Sequence, residues 1–342
     1  MKKMILVTGG TGYIGSHTVV ELINEGYEPV IIDNLSNSTT DVLDGIEKIT
    51  SIRPVFEQFD LTDQPRVEAF FEKYRNIEAV IHFAASKAVG ESVEKPLLYY
   101  RNNLVSLLNI LEAMKKYGTS NLVFSSSCTV YGEPDSLPVT ESSPIKPASS
   151  PYGNTKQINE EIIRDTLLVN KEIKAISLRY FNPIGAHHSA LIGELPLGVP
   201  ANLVPFITQT AAGIREKLSI FGDDYDTPDG TCIRDYIHVV DLAKAHVHAI
   251  KRMIDGNNKS NYEVFNIGTG RGLSVLELVK AFEKVNNVPV NYQIVGRRAG
   301  DIIAVYADTT LANNELGWKA ESSVEETLKS AWEWEKKVRG LK

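Results

Sequence analysis

The sequence predicts a doubly wound α/β protein, in which helices cover both faces of a parallel sheet. Short apolar runs alternate with longer amphipathic segments up to Arg179, as right-handed βαβ crossovers require. A glycine-rich stretch follows the first apolar run directly, where a strand would turn into a helix. The 342 residues, 43% hydrophobic and 23% charged, are enough for one large or two modest domains.

The apolar runs predict strands over residues 4–8, 29–33, 55–59, 79–83, 121–125 and 175–179. The amphipathic segments between them predict helices over residues 14–25, 65–74, 96–117 and 152–170. After residue 182 the alternation gives way to loops, and it resumes with a predicted helix over 239–253 and a strand over 263–267. We therefore expect a Rossmann domain of residues 1–182 and 236–268, and a smaller interleaved α/β substrate domain of residues 183–235 and 269–342.

Charge and composition exclude several classes of partner. The formal charge of −7 comes with no basic run longer than pairs such as Lys115-Lys116, so a nucleic-acid partner is not expected. The apolar run over 4–7 is too short for a signal peptide, and no apolar stretch reaches the roughly 20 residues of a membrane span. Cys128 and Cys232 form neither a metal-ligand spacing nor a disulfide framework, and His187-His188 lacks further ligands. We expect a cytoplasmic protein without a metal site.

The glycine-rich stretch is Gly9-Gly10-Thr11-Gly12-Tyr13-Ile14-Gly15. Its glycines permit a tight turn, close approach of the backbone to a pyrophosphate, and close packing of helix on strand. The helix that follows would point unpaired N–H groups at the phosphates. Asp33 ends the second predicted strand, where a carboxylate accepts hydrogen bonds from a ribose and repels a 2′-phosphate. The expected cofactor is NAD rather than NADP.

A second motif, Tyr152-Gly153-Asn154-Thr155-Lys156, begins a predicted helix. Residues four apart lie on the same helix face, so the phenol of Tyr152 and the ammonium of Lys156 would share one site. A tyrosine of pKa about 10 needs a lowering of about three units to be half ionised near pH 7. A neighbouring cation and the positive end of a helix both act in that direction.

These motifs, with the serine run Ser125-Ser126-Ser127, resemble the extended short-chain dehydrogenase/reductase superfamily over essentially the whole chain. Three segments narrow the resemblance to the UDP-glucose 4-epimerase family: F-A-A-S-K-A-V-G-E-S over 83–92, L-R-Y-F-N-P over 178–183, and D-G-T-C-I-R-D-Y-I-H over 229–238. The resemblance implies interconversion of UDP-galactose and UDP-glucose through a 4-keto intermediate with tightly bound NAD.

The resemblance also implies roles for individual residues. Tyr152 would be the base and later the acid, Ser127 would hydrogen-bond the sugar O4, and Lys156 would bind the nicotinamide ribose and lower the pKa of Tyr152. The implied NAD contacts are Gly9, Gly12, Tyr13, Ile14, Gly15, Asp33, Asn34, Asn37, Ser38, Asp60, Leu61, Phe83, Ala84, Ala85, Lys87, Asn102, Ser125, Tyr152, Lys156 and Tyr180. The implied UDP-sugar contacts are Lys87, Ser127, Tyr152, Asn182, Asn202, Leu203, Phe221, Arg234, Arg298, Asp301 and Val305.

The two arginines have an independent rationale, because guanidinium groups bind phosphate in a planar, bidentate way. Val305 occupies the family position that gates N-acetyl groups, so UDP-N-acetylglucosamine and UDP-N-acetylgalactosamine are further expected substrates. The family usually forms a homodimer through two long helices per subunit, for which 97–114 and 152–168 are the candidates.

Related activities remain as alternatives. A sugar-nucleotide 4,6-dehydratase carries an Asp-Glu pair where this chain has Cys128 and Thr129. A UDP-uronic acid decarboxylase would need an additional cationic cluster, which the sequence does not clearly offer. A non-catalytic NAD-sensing regulator would have no use for the combination of Ser127, Tyr152 and Lys156.

Overall fold

The computed structural model describes residues 2–298 and 300–341. Its strands are β1 (Met4–Thr8), β2 (Glu28–Asp33), β3 (Val55–Gln58), β4 (Ile77–His82), β5 (Asn121–Ser127), β6 (Lys174–Tyr180), β7 (Asn182–Ile184), β8 (Leu218–Phe221), β9 (Ile233–His238), β10 (Tyr262–Ile267), β11 (Gly272–Ser274), β12 (Tyr292–Val295) and β13 (Ala304–Val305). Its α-helices are α1 (Tyr13–Asn24), α2 (Asp41–Thr50), α3 (Gln64–Lys73), α4 (Val89–Glu94), α5 (Pro96–Tyr117), α6 (Pro151–Val169), α7 (Leu203–Ala211), α8 (Val239–Ile254), α9 (Val275–Asn286) and α10 (Val324–Arg339).

The main sheet is parallel, with the strand order β10-β6-β5-β4-β1-β2-β3. The chain winds outward from β1 in one direction through β2 and β3, and from β4 in the other direction through β5 and β6. The order therefore reverses between β1 and β4, and in open α/β sheets ligands bind at such a point, beyond the carboxyl ends of the strands. The predicted doubly wound fold is confirmed.

Two apolar cores cover the faces of this sheet. On one face, α1, α2 and α8 contribute buried side chains such as Val19, Ile46 and Leu242. On the other face, α3, α5 and α6 contribute side chains such as Phe70 and Ile110. The strands are nearly continuous apolar runs because both of their faces are buried. The carboxyl ends of the strands are consequently held in fixed positions at one edge of the sheet.

The remaining elements form smaller sheets around a separate apolar cluster. One small sheet has the order β11-β9-β13, with β7 pairing to β9, and the other pairs β12 with β8. Helices α7, α9 and α10 pack in this cluster, which includes Ile207, Phe282 and Trp332. The C-terminal part is not confined to it, because Leu316 and Trp318 join the core of the main sheet. No helix in the described part of the chain is both long enough and apolar enough to cross a membrane.

Candidate active site

The glycine-rich stretch forms the turn between β1 and α1. Gly9 has a φ of +71°, and its N–H donates to the carbonyl of Ile32 on the neighbouring strand at 2.8 Å. A Cβ on Gly15 would lie 2.3 Å from the carbonyl oxygen of Gly9, so only glycine allows α1 to start this close to the turn. Gly12 is the N-cap residue of α1, and it has no side chain that could accept from the first N–H groups of the helix. The first N–H groups of α1, at Tyr13 and Ile14, therefore belong to an anion-binding helix end.

Asp33 lies beside this turn at the end of β2, as the sequence predicts. Its carboxylate is 8% exposed and accepts from the backbone N–H of Thr11 at 3.2 Å and of Leu35 at 2.9 Å. Ser38 joins the same group through a 2.7 Å hydrogen bond between its hydroxyl and that of Thr11. The carboxylate is thus held at the turn, where a ribose hydroxyl would have to reach it.

The other residues predicted to bind the adenosine end of the cofactor follow β2 and β3 or lie on α5. The Asn34 amide donates to Asp60 at 2.9 Å, and Leu61 is buried next to Asp60. Asn37 is exposed and Asn102 is half-buried, with the Asn102 amide donating to Ser86 at 3.2 Å. The loops after β2 and β3 therefore present polar groups next to the end of β2.

The loop after β4 faces the glycine turn. The N–H of Phe83 donates to the carbonyl of Thr8 at 3.1 Å, and a Cβ on Gly9 would lie 2.9 Å from the nitrogen of Ala84. Ala85 follows, half-buried, and Lys87 is exposed. The backbone of this loop and the glycine turn therefore lie in contact with each other.

The predicted catalytic residues converge at the carboxyl end of β5. The Lys156 ammonium donates to the carbonyl of Ser125 at 2.5 Å and lies 5.8 Å from the centroid of the Tyr152 ring. Ser127 ends β5, and hydrogen bonding between its hydroxyl and the Tyr152 phenol acts to lower the pKa of Tyr152. Tyr180, at the end of β6, hydrogen-bonds through its hydroxyl to that of Ser125. Tyrosine, lysine and serine thus share one buried site.

A serine cap and a proline fix the start of the helix that carries two of these groups. The Ser150 hydroxyl accepts from the N–H of Gly153 at 3.2 Å, and Pro151 occupies the first position of α6. Proline is favoured there because its fixed φ suits a helix and its missing N–H would be unpaired anyway. Tyr152 consequently lies in the first turn of α6, next to the positive end of the helix.

The electrostatics of the buried pair differ from the sequence-based expectation. Burial raises the pKa of Tyr152 well above its usual value, the neighbouring Tyr180 and Cys128 raise it further, and the hydrogen bond from Ser127 only partly opposes this. Burial also lowers the pKa of Lys156 to about 7, against the opposing charge of Glu160. The protein's own groups therefore do not lower the pKa of Tyr152, because desolvation disfavours both charged forms more than the pair favours them.

Most of the predicted UDP-sugar residues lie on the smaller sheets and the loops around them. Arg234 on β9 is paired in register with Val305 on β13, and Asn182 begins β7, which also pairs with β9. The Arg298 guanidinium binds Asp301 at 2.7 Å and lies 5.3 Å from the centroid of the Phe221 ring. These residues form two groups, one along β9 and one around Arg298.

A carboxylate that the sequence analysis missed joins two further predicted residues. Glu194 Oε1 accepts from the Asn202 amide at 2.6 Å and lies 3.3 Å from the Lys87 ammonium. Leu203 begins α7 directly after Asn202. Tyr13 lies close by, with its hydroxyl donating to the carbonyl of Gly185 at 2.6 Å and the Lys87 ammonium 6.0 Å from its ring centroid. Because Lys87 and Glu194 are 107 residues apart in sequence, no local pattern could reveal the contact.

Glu160 is a second residue that the sequence analysis missed, although its spacing was visible. It lies four residues after Lys156 on α6 and binds the buried Arg179 of β6 in a bidentate ion pair with distances of 3.0 and 2.5 Å. Its Oε1 also accepts from Ser126 at 2.5 Å. The helix that carries the tyrosine and the lysine is thus tied by a charge pair to the strands beneath the site.

A doubly wound sheet with this glycine turn and a Tyr-x-x-x-Lys helix defines an extended short-chain dehydrogenase/reductase. In agreement, residues 6–331 match the family model described as GDP-mannose 4,6 dehydratase. The chain is 52% identical to UDP-glucose 4-epimerase 2 of Arabidopsis thaliana, over 98% of this chain and 95% of the relative. It is 51% identical to UDP-glucose 4-epimerase of Bacillus subtilis, over 99% and 98%. The chain belongs to the UDP-glucose 4-epimerase family.

Solved structures agree with this assignment. The crystal structure of UDP-glucose 4-epimerase from Bifidobacterium longum in complex with NAD+ and UDP superposes with a TM-score of 0.94 at 47% identity, covering 98% of this chain and 99% of that one. The enzyme from Stenotrophomonas maltophila, with bound NAD and formylated UDP-arabinopyranose, has a TM-score of 0.95 at 47% identity, covering 99% of both chains.

Proposed function

We propose that this protein is a UDP-glucose 4-epimerase that interconverts UDP-galactose and UDP-glucose with tightly bound NAD. The observation that carries the proposal is the convergence of Ser127, Tyr152 and Lys156 at the end of β5, beside a glycine turn that suits a dinucleotide. Membership of the epimerase family over nearly the whole chain supports the same activity.

The residues present fit NAD. The uncapped start of α1 offers N–H groups and a partial positive charge to a pyrophosphate, and Gly15 lets the helix start close against the glycine turn. Asp33 would accept from the adenosine ribose and repel a 2′-phosphate, with Asn34 and Asp60 beside it. The nicotinamide end would lie among Phe83, Ser125 and Tyr180, and the remaining predicted NAD residues would contact the cofactor between these ends.

The chemistry then divides between cofactor and protein. Bound NAD supplies the reversible hydride acceptor that inversion of a secondary alcohol requires, and the charge of its oxidised ring favours the phenolate form of a nearby tyrosine. Tyr152 takes the proton of the sugar O4 as hydride leaves C4, and later returns it. Ser127 holds the same oxygen by a hydrogen bond. Lys156 stabilises the phenolate and is placed for this by its bond to Ser125.

The nucleotide must stay fixed while the oxidised hexose turns over, so that hydride returns to the opposite face. Arg234 and Arg298 would bind the diphosphate, with Asn182, Asn202, Leu203, Phe221 and Asp301 around the UDP moiety. The Arg298 guanidinium is largely exposed and already oriented by Asp301. Contacts remote from C4 thus retain the 4-keto sugar without restricting the ring that rotates.

A dehydratase activity on the same fold is less well supported. The residues after Ser127 are Cys128 and Thr129, neither of which is a carboxylic acid. Burial raises the pKa of the Cys128 thiol to about 12, so it is a poor substitute for a general base near neutral pH. Elimination of water from C5 and C6 would therefore lack its acid–base pair, whereas epimerisation at C4 needs only the groups present.

Acceptance of N-acetylated UDP-sugars is part of the proposal. Val305 is a small side chain paired in register with Arg234, which places it next to the proposed diphosphate group. We expect Val305→Tyr to reduce epimerisation of UDP-N-acetylglucosamine by more than about tenfold, because one large ring replaces space for the acetamide. Val305→Ala is the matched control and should retain it. Equal activity of Val305→Tyr on UDP-N-acetylglucosamine and on UDP-galactose would contradict this assignment.

We also propose a homodimer, in which α5 and α6 of two subunits pack together. These helices pack on each other within the chain and carry apolar side chains that are largely exposed, Leu97 at 80%, Leu168 at 63% and the adjoining Val169 at 80%. Apolar side chains left exposed on two packed helices are compatible with a protein interface. The split into domains of 1–182 with 236–268 and 183–235 with 269–342, and a cytoplasmic location, are proposed on the sequence grounds given above.

The activity is tested by incubating the purified protein with UDP-galactose, without added NAD, and measuring UDP-glucose. We expect turnover in the wild type, recovery of NAD from the denatured protein, and loss of turnover in Tyr152→Phe. Tyr117→Phe, at the end of α5, removes the same hydroxyl away from the site and should retain full activity. Bound NAD without turnover of UDP-galactose would reject the proposal.

A further inference from the structure

The buried face of α6 carries three ionisable side chains in a row. Tyr152, Lys156 and Glu160 follow one another at intervals of four residues, so they lie along one stripe of the helix. The Tyr152 and Lys156 side chains belong to the proposed reaction. Glu160 has no role in that chemistry, yet it is 4% exposed, and a buried carboxylate is retained only when it is paired and hydrogen-bonded.

Glu160 connects α6 to both strands beneath the site. Its two carboxylate oxygens take a bidentate ion pair from Arg179 on β6 and a hydrogen bond from Ser126 on β5. Ser126 lies between Ser125, whose carbonyl receives the Lys156 ammonium, and Ser127 at the end of the strand. One carboxylate therefore sets the position of the helix relative to the serine run that carries the reacting groups.

Among the titratable groups packed around Lys156, Glu160 provides the counter-charge of the ammonium. The other titratable groups facing Lys156, Tyr152 and Glu160 from the packed elements are His82 on β4, Tyr99 on α5, Cys128 after β5, Arg179 and Tyr180 on β6, and Tyr262 on β10. Burial lowers the pKa of His82 to about 3 and raises that of Tyr180 to about 12, so both are neutral near pH 7. Arg179 is itself paired with Glu160, so the carboxylate of Glu160 is the anion of this group.

We propose that Glu160 is a positioning residue for the epimerase reaction, and that it acts through Lys156. Its carboxylate fixes α6 against the serine run and supplies the negative charge that keeps the buried ammonium protonated beside Tyr152. The inference rests on the proposed function for its consequence in turnover, but the protonation of Lys156 is a property of the folded chain and is measurable without turnover.

The direction of the effect follows from the charges. An anion near a lysine favours the protonated form, and its loss lets burial lower the pKa of Lys156 further. Activity that needs the ammonium is lost as the pH rises through this pKa. Loss of the carboxylate should therefore move the alkaline limb of kcat/KM to lower pH by about one unit or more.

The test compares two variants of the NAD-loaded protein. Glu160→Gln/Arg179→Gln removes both charges together and leaves two amides that hydrogen-bond each other, whereas Glu160→Gln alone would strand a buried guanidinium. Arg179→Lys is the matched control, because it keeps the buried carboxylate paired with a cation. The measurements are the pH profile of kcat/KM and the pH titration of the 13Cε resonance of Lys156, assigned with Lys156→Met.

We expect the double variant to lower the pKa of Lys156 and the alkaline limb together, and Arg179→Lys to leave both unchanged. Identical Lys156 titrations in the wild type and the double variant would overturn the proposal and leave Glu160 a purely structural residue. If the double variant does not fold, the control still decides, because a fall of the Lys156 pKa in Arg179→Lys, which keeps the paired carboxylate, contradicts the assigned counter-charge. A further outcome is that the Lys156 titrations differ between the wild type and the double variant as expected while the wild type does not epimerise UDP-galactose. That result would reject the proposed function and keep the role of Glu160 in the protonation of Lys156.

Discussion

The contribution of Lys156 to catalysis can be worked out from the structure. Its ammonium lies 5.8 Å from the centroid of the Tyr152 ring. At an effective dielectric constant of about 20, a full positive charge at that distance stabilises a phenolate by about 3 kcal/mol. One pKa unit corresponds to about 1.4 kcal/mol, so the pKa of Tyr152 would rise by about two units without it. We expect Lys156→Met, which keeps the length of the side chain, to lower kcat about 100-fold.

The assay is epimerisation of UDP-galactose across pH, with NAD content measured in each preparation so that lost cofactor is not mistaken for lost catalysis. Because burial lowers the pKa of Lys156 to about 7, the ratio of wild-type to variant kcat should be largest below pH 7 and shrink above it. Lys115→Met, an exposed lysine on α5, is the matched control and should match the wild type. A kcat of Lys156→Met within threefold of the wild type, or a ratio independent of pH, would refute the electrostatic reasoning.

Three further predictions concern stability and cofactor binding. Gly15→Ala should lower the free energy of unfolding by about 1–3 kcal/mol, because the new Cβ meets a carbonyl oxygen at 2.3 Å. Gly90→Ala, which has open space around it, should not lower it. Urea unfolding measures both variants. Burial lowers the pKa of His17 to about 3, below its unfolded value of about 6.5. The contribution of neutral His17 to the free energy of unfolding is therefore complete above pH 6.5 and is lost as the pH falls toward 3. His17→Asn should flatten the decline of the unfolding free energy at acid pH, whereas His248→Asn should not. Asp33→Ser should reduce the NAD recovered from purified protein and improve the relative binding of NADP, and unchanged selectivity would contradict its assignment to the ribose.

The first half of the fold could be predicted because its signals are local. A buried parallel strand is an apolar run, and a glycine turn between such a run and an amphipathic segment marks β1, α1 and β2 within a few residues of their bounds. Strand β6 and helix α5 were equally clear. Helices α2 and α4 were not predicted, since the former follows a polar loop and the latter has six residues, too few for a periodic signal.

The site was predictable where a motif carries it, and hidden where tertiary contacts build it. Tyr152 and Lys156 share a face by helix geometry alone. The ion pair of Glu160 with Arg179 and the bridge from Glu194 to Lys87 depend on strand order and on loop paths, which no short pattern encodes. The pKa of Tyr152 shows the same limit, because spacing predicts which charges are near but not how strongly burial opposes them.

In the proposed reaction, hydride leaves C4 of the sugar and returns to the same carbon within one site. UDP-galactose carrying deuterium at C4 tests it most directly when it is converted in ordinary water and the UDP-glucose formed is analysed by mass spectrometry and NMR. We expect the UDP-glucose to retain the deuterium at C4, because hydride does not exchange with solvent. Replacement of that deuterium by solvent hydrogen would contradict the account and would point to deprotonation of carbon instead.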